Sequence, residues 1–162
     1  MVICSVNVFP QLSQSLNRAK CYLYVREQQP NRSIEIDLWN KYVKNPVASP
    51  YCAAFISFVT DGKPVKSGLA RDHAKGKFHT IGDVLRKKYV VKSGDKAIWA
   101  RGTTIKGHIG LVDTWKYDRG YTVEANTSSG SKGSQFDGSG VYIKFRSIQP
   151  YNFFRIIGFV EM

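Results

Sequence analysis

The sequence predicts an α+β domain whose helical first half packs on an antiparallel sheet formed by the second half. Two observations carry that prediction. Up to about residue 90, apolar residues recur at the three-to-four spacing of helices, and beyond about residue 95 they fall into short β-rich runs bounded by Gly, Asp, Asn or Pro. Runs of strands after runs of helices select a layered α+β arrangement over an alternating parallel sheet. The 162 residues suit one compact unit that buries about 70% of its unfolded surface. Residues 1–162 are therefore expected to form a single domain, helical over about 10–90 and stranded over about 95–162.

The first helix is expected from Leu12, Leu16, Ala19 and Leu23, with Cys21 inside it and Pro30 closing the segment. Asp37 is the expected N-cap of a second helix using Leu38, Trp39, Tyr42 and Val43 and ending before Asn45-Pro46. Pro46-Val47-Ala48-Ser49-Pro50 then denies a helix and sets up an abrupt entry into Tyr51 to Val59. That segment is apolar almost all round, so it reads as a buried helix stopped at Asp61-Gly62. Leu69 to Ala74 and Ile81 to Lys88 read as short basic amphipathic helices. Strands are expected at Ala97 to Trp99, His108 to Asp113, Tyr121 to Ala125, Val141 to Phe145 and Ile156 to Glu161. The Ser/Gly-rich stretch from Thr127 to Gly140 reads as a long loop.

Composition narrows the class of function. With 43% hydrophobic and 22% charged residues the chain is neither disordered, collagenous nor a coiled coil. Lys plus Arg number 24 against 12 Asp plus Glu, and the net charge of +12 calls for an anionic partner. Neither a membrane span nor a secretory leader is expected, since the longest apolar run, Ala53 to Val59, is too short and Met1-Val2-Ile3-Cys4 lacks a basic start. Cys4, Cys21 and Cys52 fit no metal spacing and no disulfide framework, so each reads as a free thiol. His73 and His79 lie in a Lys-rich stretch without a third ligand and read as solvated. Arg71, Lys75, Lys77, Arg86, Lys87 and Lys88 read as a solvated basic face.

Chemistry is expected at Cys52, His108, Glu124 and Asn126. Cys52 opens a helix after a Pro-bounded loop, where the positive end of the dipole stabilises a thiolate. His108 opens the run Gly107-His108-Ile109-Gly110-Leu111-Val112, whose glycines admit a close neighbour to the ring. A hairpin turning near Lys116 or Tyr117 sets His108 opposite Glu124 or Asn126, and either register brings an acceptor to the imidazole. Nucleophile, base and orienting group are then all present.

Ser49-Pro50-Tyr51-Cys52-Ala53-Ala54-Phe55-Ile56-Ser57-Phe58 resembles the nucleophile segment of the CHAP family, among the NlpC/P60-like cysteine peptidases. Ser93 to Trp99 resembles the strand before that family's histidine, Gly107 to Val112 its histidine motif, and Val123 to Thr127 its acidic/amide strand. Gly140-Val141-Tyr142 and Ile156 to Val160 resemble the closing strands. The resemblance implies a papain-like fold and a peptidoglycan hydrolase, either an N-acetylmuramoyl-L-alanine amidase or an endopeptidase of the stem or cross-bridge. Cys52 would attack the amide carbonyl and His108 would shuttle the proton. Glu124 would orient His108, with Asn126 supporting it or sharing the task. The Cys52 backbone N–H would serve the oxyanion hole; no papain-type glutamine is identifiable, which leaves the second donor open between Tyr51 and Ser49. Some members bind calcium just upstream of the cysteine, but Asn40 to Asn45 is too basic here, and no metal or cofactor is expected.

The resulting expectation is a monomeric, phage-endolysin-like lytic enzyme. It is made without a signal peptide and acts on the cell wall after release or export, with its charge drawing it to anionic envelope polymers and no specific nucleic acid as partner. The alternatives are a secreted effector or wall-remodelling enzyme of the same fold, or a non-catalytic basic domain that binds nucleic acid or wall polymer.

Overall fold

The computed structural model describes residues 14–129 and 138–162. Among the described residues four α-helices, a 3-10 helix and a six-stranded antiparallel sheet form an α+β fold. Cys4, Leu12 and most of the expected Thr127 to Gly140 loop lie outside the described residues.

The first helix, α1, spans Gln14–Lys20 and buries Leu16 and Ala19. It is shorter than its apolar spacing predicts, because the chain tightens into i to i+3 turns: the Tyr22 amide bonds the Ala19 carbonyl and the Leu23 amide that of Lys20. Cys21 therefore lies just past the helix and is exposed. The second helix, α2, spans Ile34–Tyr42, and its N-cap is Ser33, not Asp37. Ser33 has the extended backbone a cap requires, and its Oγ accepts from the Ile36 amide at 3.3 Å. Asp37 sits inside the first turn and pairs with Arg32 at 2.8 Å.

Helix α3, Cys52–Val59, is buried along its whole length except Phe58. It ends where Asp61 and Gly62 take left-handed backbone, φ 52° and 74°. An aromatic cluster fixes its position: the rings of Trp39 and Phe55 are 4.8 Å apart and those of Tyr22 and Trp39 meet edge to face at 5.4 Å. After it come a 3-10 helix, Ala70–Lys75, and a single helical turn α4, Ile81–Leu85, closed by a Thr80/Asp83 capping box. The first has the expected length shifted by one residue, whereas the second is shorter than the amphipathic pattern suggests, because Lys87 takes φ 59° and ends it.

The strands are β1 (Phe78–Thr80), β2 (Lys96–Arg101), β3 (Gly107–Lys116), β4 (Arg119–Thr127), β5 (Gly140–Ser147) and β6 (Phe154–Val160), in the order β1-β6-β2-β3-β4-β5. The three-residue β1 carries no period-2 pattern and was not legible; pairing with β6 makes it a strand. Two cores flank the sheet. Phe55, Ile56, Ile98, Ile109, Leu111, Val123 and Ala125 belong to the one under α1 to α3. Val84, Tyr89, Val91, Ala97, Trp99, Val112 and Phe159 form the other, so α4 packs against the residues that alternate with the first set. Among the described residues no helix is long and apolar enough to cross a membrane.

Candidate active site

Cys52 is the first residue of α3 and is 8% exposed. The loop that delivers it is held from behind. Asn40 Nδ2 donates to the Ser49 carbonyl at 3.0 Å, and Asn45 Nδ2 donates to Asn40 Oδ1 at 3.1 Å. The neighbouring Tyr51 is fully buried and donates its hydroxyl to Glu27 at 3.1 Å, which, with burial, pushes the phenol pKa up. Asn40, backed by Asn45, thus braces the entry loop of α3.

His108 is the second residue of β3 and is wholly buried. Its Nε2 lies 2.8 Å from Glu124 Oε2, and Glu124 is wholly buried too. The strand register places Glu124 directly opposite Gly110, two residues along from His108. The hairpin turns between Lys116 and Arg119, close to where the sequence sets it. Both flanking glycines are required by close approaches. A Cβ at Gly107 would stand 2.4 Å from the Trp99 carbonyl oxygen, and one at Gly110 would stand 2.7 Å from Glu124 Cγ. The Trp99 ring meets the imidazole edge to face at 5.4 Å.

With Nε2 engaged by Glu124, Nδ1 is the ring nitrogen left for Cys52. Among the described residues Nδ1 has no hydrogen-bond partner, but Cys52 acts electrostatically on the imidazole. Burial opposes the imidazolium, yet Glu124 and then Cys52 outweigh it and hold the His108 pKa up at about 9. Glu124 also feels burial first, which favours its neutral form; Arg146 and His108 reverse this and hold its pKa well below the usual carboxylate range.

Arg146 was not singled out in the sequence. From β5 its Nε donates to Glu124 Oε1 and its Nη2 to Oε2, both at 2.6 Å, while Thr122 donates its hydroxyl to Oε1 at 2.5 Å. The signal was alternation: Tyr142 pairs with Glu124 and Lys144 with Thr122, so position 146 shares their face. Ending the expected strand at Phe145 hid it.

Asn126 sits at a bulge between Ala125 and Thr127 with φ 57°. Its Oδ1 is buried and has no hydrogen-bond partner among the described residues. Among the described residues the side-chain hydrogen bond to the His108 ring comes from Glu124.

A second buried polar group lies apart from Cys52. His73, expected to be solvated, is wholly buried, because the 3-10 helix lays it over β2. Its Nε2 approaches the Ser67 carbonyl at 3.2 Å and Ser57 Oγ at 3.4 Å, and its Nδ1 lies 3.3 Å from Lys96 Nζ. Lys96 is wholly buried too and donates to the Lys63 carbonyl at 2.5 Å. Burial, reinforced by Lys96, lowers the His73 pKa to about 4, and burial lowers that of Lys96 to about 7. His79 is half-buried and stacks on Tyr89 at 3.6 Å. Of the expected basic face, Lys75, Lys77, Arg86, Lys87 and Lys88 are exposed. Arg71 departs from it: it is half-buried, and its Nη1 donates to the Thr104 carbonyl at 3.1 Å.

Among the described residues no group of three or more His, Cys, Asp or Glu side chains could hold a metal ion. Comparisons with protein-family models, curated proteins and solved structures found no match.

Proposed function

We propose that the protein is a cysteine-dependent amidohydrolase of papain-like, CHAP type that cleaves an amide bond of peptidoglycan. The observation that carries the chemistry is the buried imidazole of His108, held at Nε2 by Glu124 at 2.8 Å and open at Nδ1 toward Cys52. The substrate class rests on the resemblance of the segments around Cys52, His108 and Glu124 to peptidoglycan hydrolases. The net charge of +12 supports an acidic wall as the place of action, reached after release or export.

In this mechanism the proton of Cys52 Sγ rests on His108 as the sulfur attacks the carbonyl carbon, forming a C–S bond while the carbonyl electrons move to oxygen. The backbone N–H at the start of α3 stabilises that oxyanion. The intermediate collapses by breaking the C–N bond, and His108 Nδ1 donates its proton to the leaving amine. Water, losing a proton to the same nitrogen, then attacks the thioester. This step releases the carboxylic acid and restores the thiol. Amidase and endopeptidase cleavage share these steps.

The test is digestion of purified peptidoglycan by the wild-type protein and by Cys52→Ala, with products read by mass spectrometry. New amine and carboxyl termini from the wild type alone are the expected result. Equal cleavage by both would move the nucleophile elsewhere, and no new termini from the wild type would end the hydrolase reading.

A further inference from the structure

Glu124 holds His108 through a single oxygen, Oε2. A glutamate side chain has three rotatable bonds, and one buried contact to an imidazole does not define its orientation. Here the remaining capacity of the carboxylate is taken up. Arg146 donates to both oxygens in a two-pronged pairing and Thr122 donates to Oε1. Arg146 is itself braced, because its guanidinium carbon lies 5.8 Å from the centre of the Trp99 ring. The same ring meets His108 on its other contact. Trp99, His108, Glu124 and Arg146 thus close a cycle in which each member touches the next. Arg146 also lines a shallow cavity of about 220 Å³ together with Trp99, Gln149, Asn152 and Arg155.

We infer that Arg146, assisted by Thr122, is a positioning residue for His108: it locks the Glu124 carboxylate in the orientation that holds the imidazole toward Cys52. This rests on the proposed Cys52–His108 chemistry. Arg146 itself touches neither the thiol nor, in this reading, the substrate. Its role divides into two parts. Its planar fork fixes the plane of the carboxylate, which lysine cannot do with a single ammonium. Its charge keeps the buried carboxylate ionised at acid pH, so that it continues to accept from Nε2–H.

A purely structural role would lower the amount of folded protein without moving any titration. The positioning role moves one. Arg146→Met and Arg146→Lys, with Thr122→Val as a milder variant that removes one bond, are compared with the wild type in two measurements. In the first, the pH dependence of kcat and KM is taken on solubilised peptidoglycan. Arg146→Met is expected to lower kcat about 100-fold, the size of effect a misplaced catalytic group produces, with KM little changed. The acid limb of its profile should move to higher pH. Arg146→Lys should lose kcat while keeping the acid limb near the wild-type position, and Thr122→Val should move the limb less than Arg146→Met.

In the second, the Nε2–H proton of His108 is followed by NMR as pH falls, a readout that needs no substrate. Its hydrogen-bonded resonance should vanish at higher pH in Arg146→Met than in the wild type. Unmoved resonances and an unmoved acid limb in Arg146→Met and Thr122→Val would overturn the inference. A moved resonance in a wild-type background that cleaves no peptidoglycan would keep the inference and remove the substrate reading. If Arg146→Met does not fold, Thr122→Val decides by the movement of the limb and resonance, and Arg146→Lys by loss of kcat at an unmoved acid limb, an unchanged kcat overturning the inference.

Discussion

Gly110 and Glu124 face each other across β3 and β4 so closely that the Cβ glycine lacks would stand 2.7 Å from Glu124 Cγ. The backbone of Gly110 needs no left-handed conformation, so the requirement is for space alone. Gly110→Ala must push the carboxylate away from the imidazole it holds at 2.8 Å. The expected outcome is a fall in peptidoglycan cleavage of about 100-fold with a loss of stability of about 1–3 kcal/mol from overpacking. Product assay and urea unfolding of the same preparation separate the two effects. Gly107→Ala meets a backbone oxygen at 2.4 Å, where no side chain can give way, and should lose stability first.

The pair formed by His108 and Glu124 should leave a signature in stability against pH. The folded-state pKa of His108 is raised, so its contribution is complete below 6.5 and is lost as pH rises through about 9. That of Glu124 is lowered, so its contribution is present above the ordinary value of 4.5 and is lost as pH falls through the depressed one. The stability advantage of wild type over Glu124→Gln should therefore peak between about pH 4.5 and 6.5 and shrink on both sides. Urea midpoints taken from pH 3 to 10 (an experimental range of about seven units) test this; a flat difference would contradict it.

Lys96 predicts a slope of the opposite kind. Its folded-state pKa is lowered from 10.5 to about 7, so the folded protein resists its charge. The cost is complete below pH 7, and it disappears as pH rises toward 10.5. Lys96→Met removes the titration but leaves the Lys63 carbonyl and His73 Nδ1 without their neighbour. Relative to the wild type, the variant should be at its best in acid and lose ground by more than about 1 kcal/mol between pH 7 and 10. Thermal unfolding across that interval is the measurement, and a constant difference would argue against it.

Phe55 carries the packing that seats α3. It is wholly buried and lies against Trp39, with Tyr22 edge-on at 6.1 Å. Phe55→Ala should cost about 3–5 kcal/mol, read by denaturant unfolding. Because α3 presents Cys52, activity per folded molecule should fall as well.

Much of this fold was legible because its signals are local. The apolar run from Ala53 to Val59 could only be a buried helix, and Asp61-Gly62 could only stop it. Five of the six strands announced themselves by bounded runs, and a hairpin near Lys116 or Tyr117 brought an acceptor, Glu124 or Asn126, to His108; the choice between them was not legible, since Glu124 stands opposite Gly110 and reaches His108 through its side chain. What escaped notice depends on partners distant in sequence. Phe78–Thr80 is a strand only because β6 lies beside it. His73 and Lys96 look like solvent-facing residues until a 3-10 helix folds one over the other. Arg146 became part of the site only through the pairing of β5 with β4, and Ser33 displaced Asp37 because backbone conformation, rather than side-chain type, decides between two competent caps.

The placement of β6 has a consequence for how the protein comes into being. This segment, Phe154–Val160, is the last strand in the chain yet lies between β1 and β2. On a ribosome β1 therefore waits without its partner through about 74 residues, from Thr80 to Phe154, of further synthesis. Ile156 and Phe159, which complete the core around Trp99, arrive at the end of the same wait. The wall on which His108 rests is closed only when this late segment slots in, a long-range step of the slow kind. A nascent chain is thus unfinished inside its sheet, with the outermost strand β1 left unpaired until that closure.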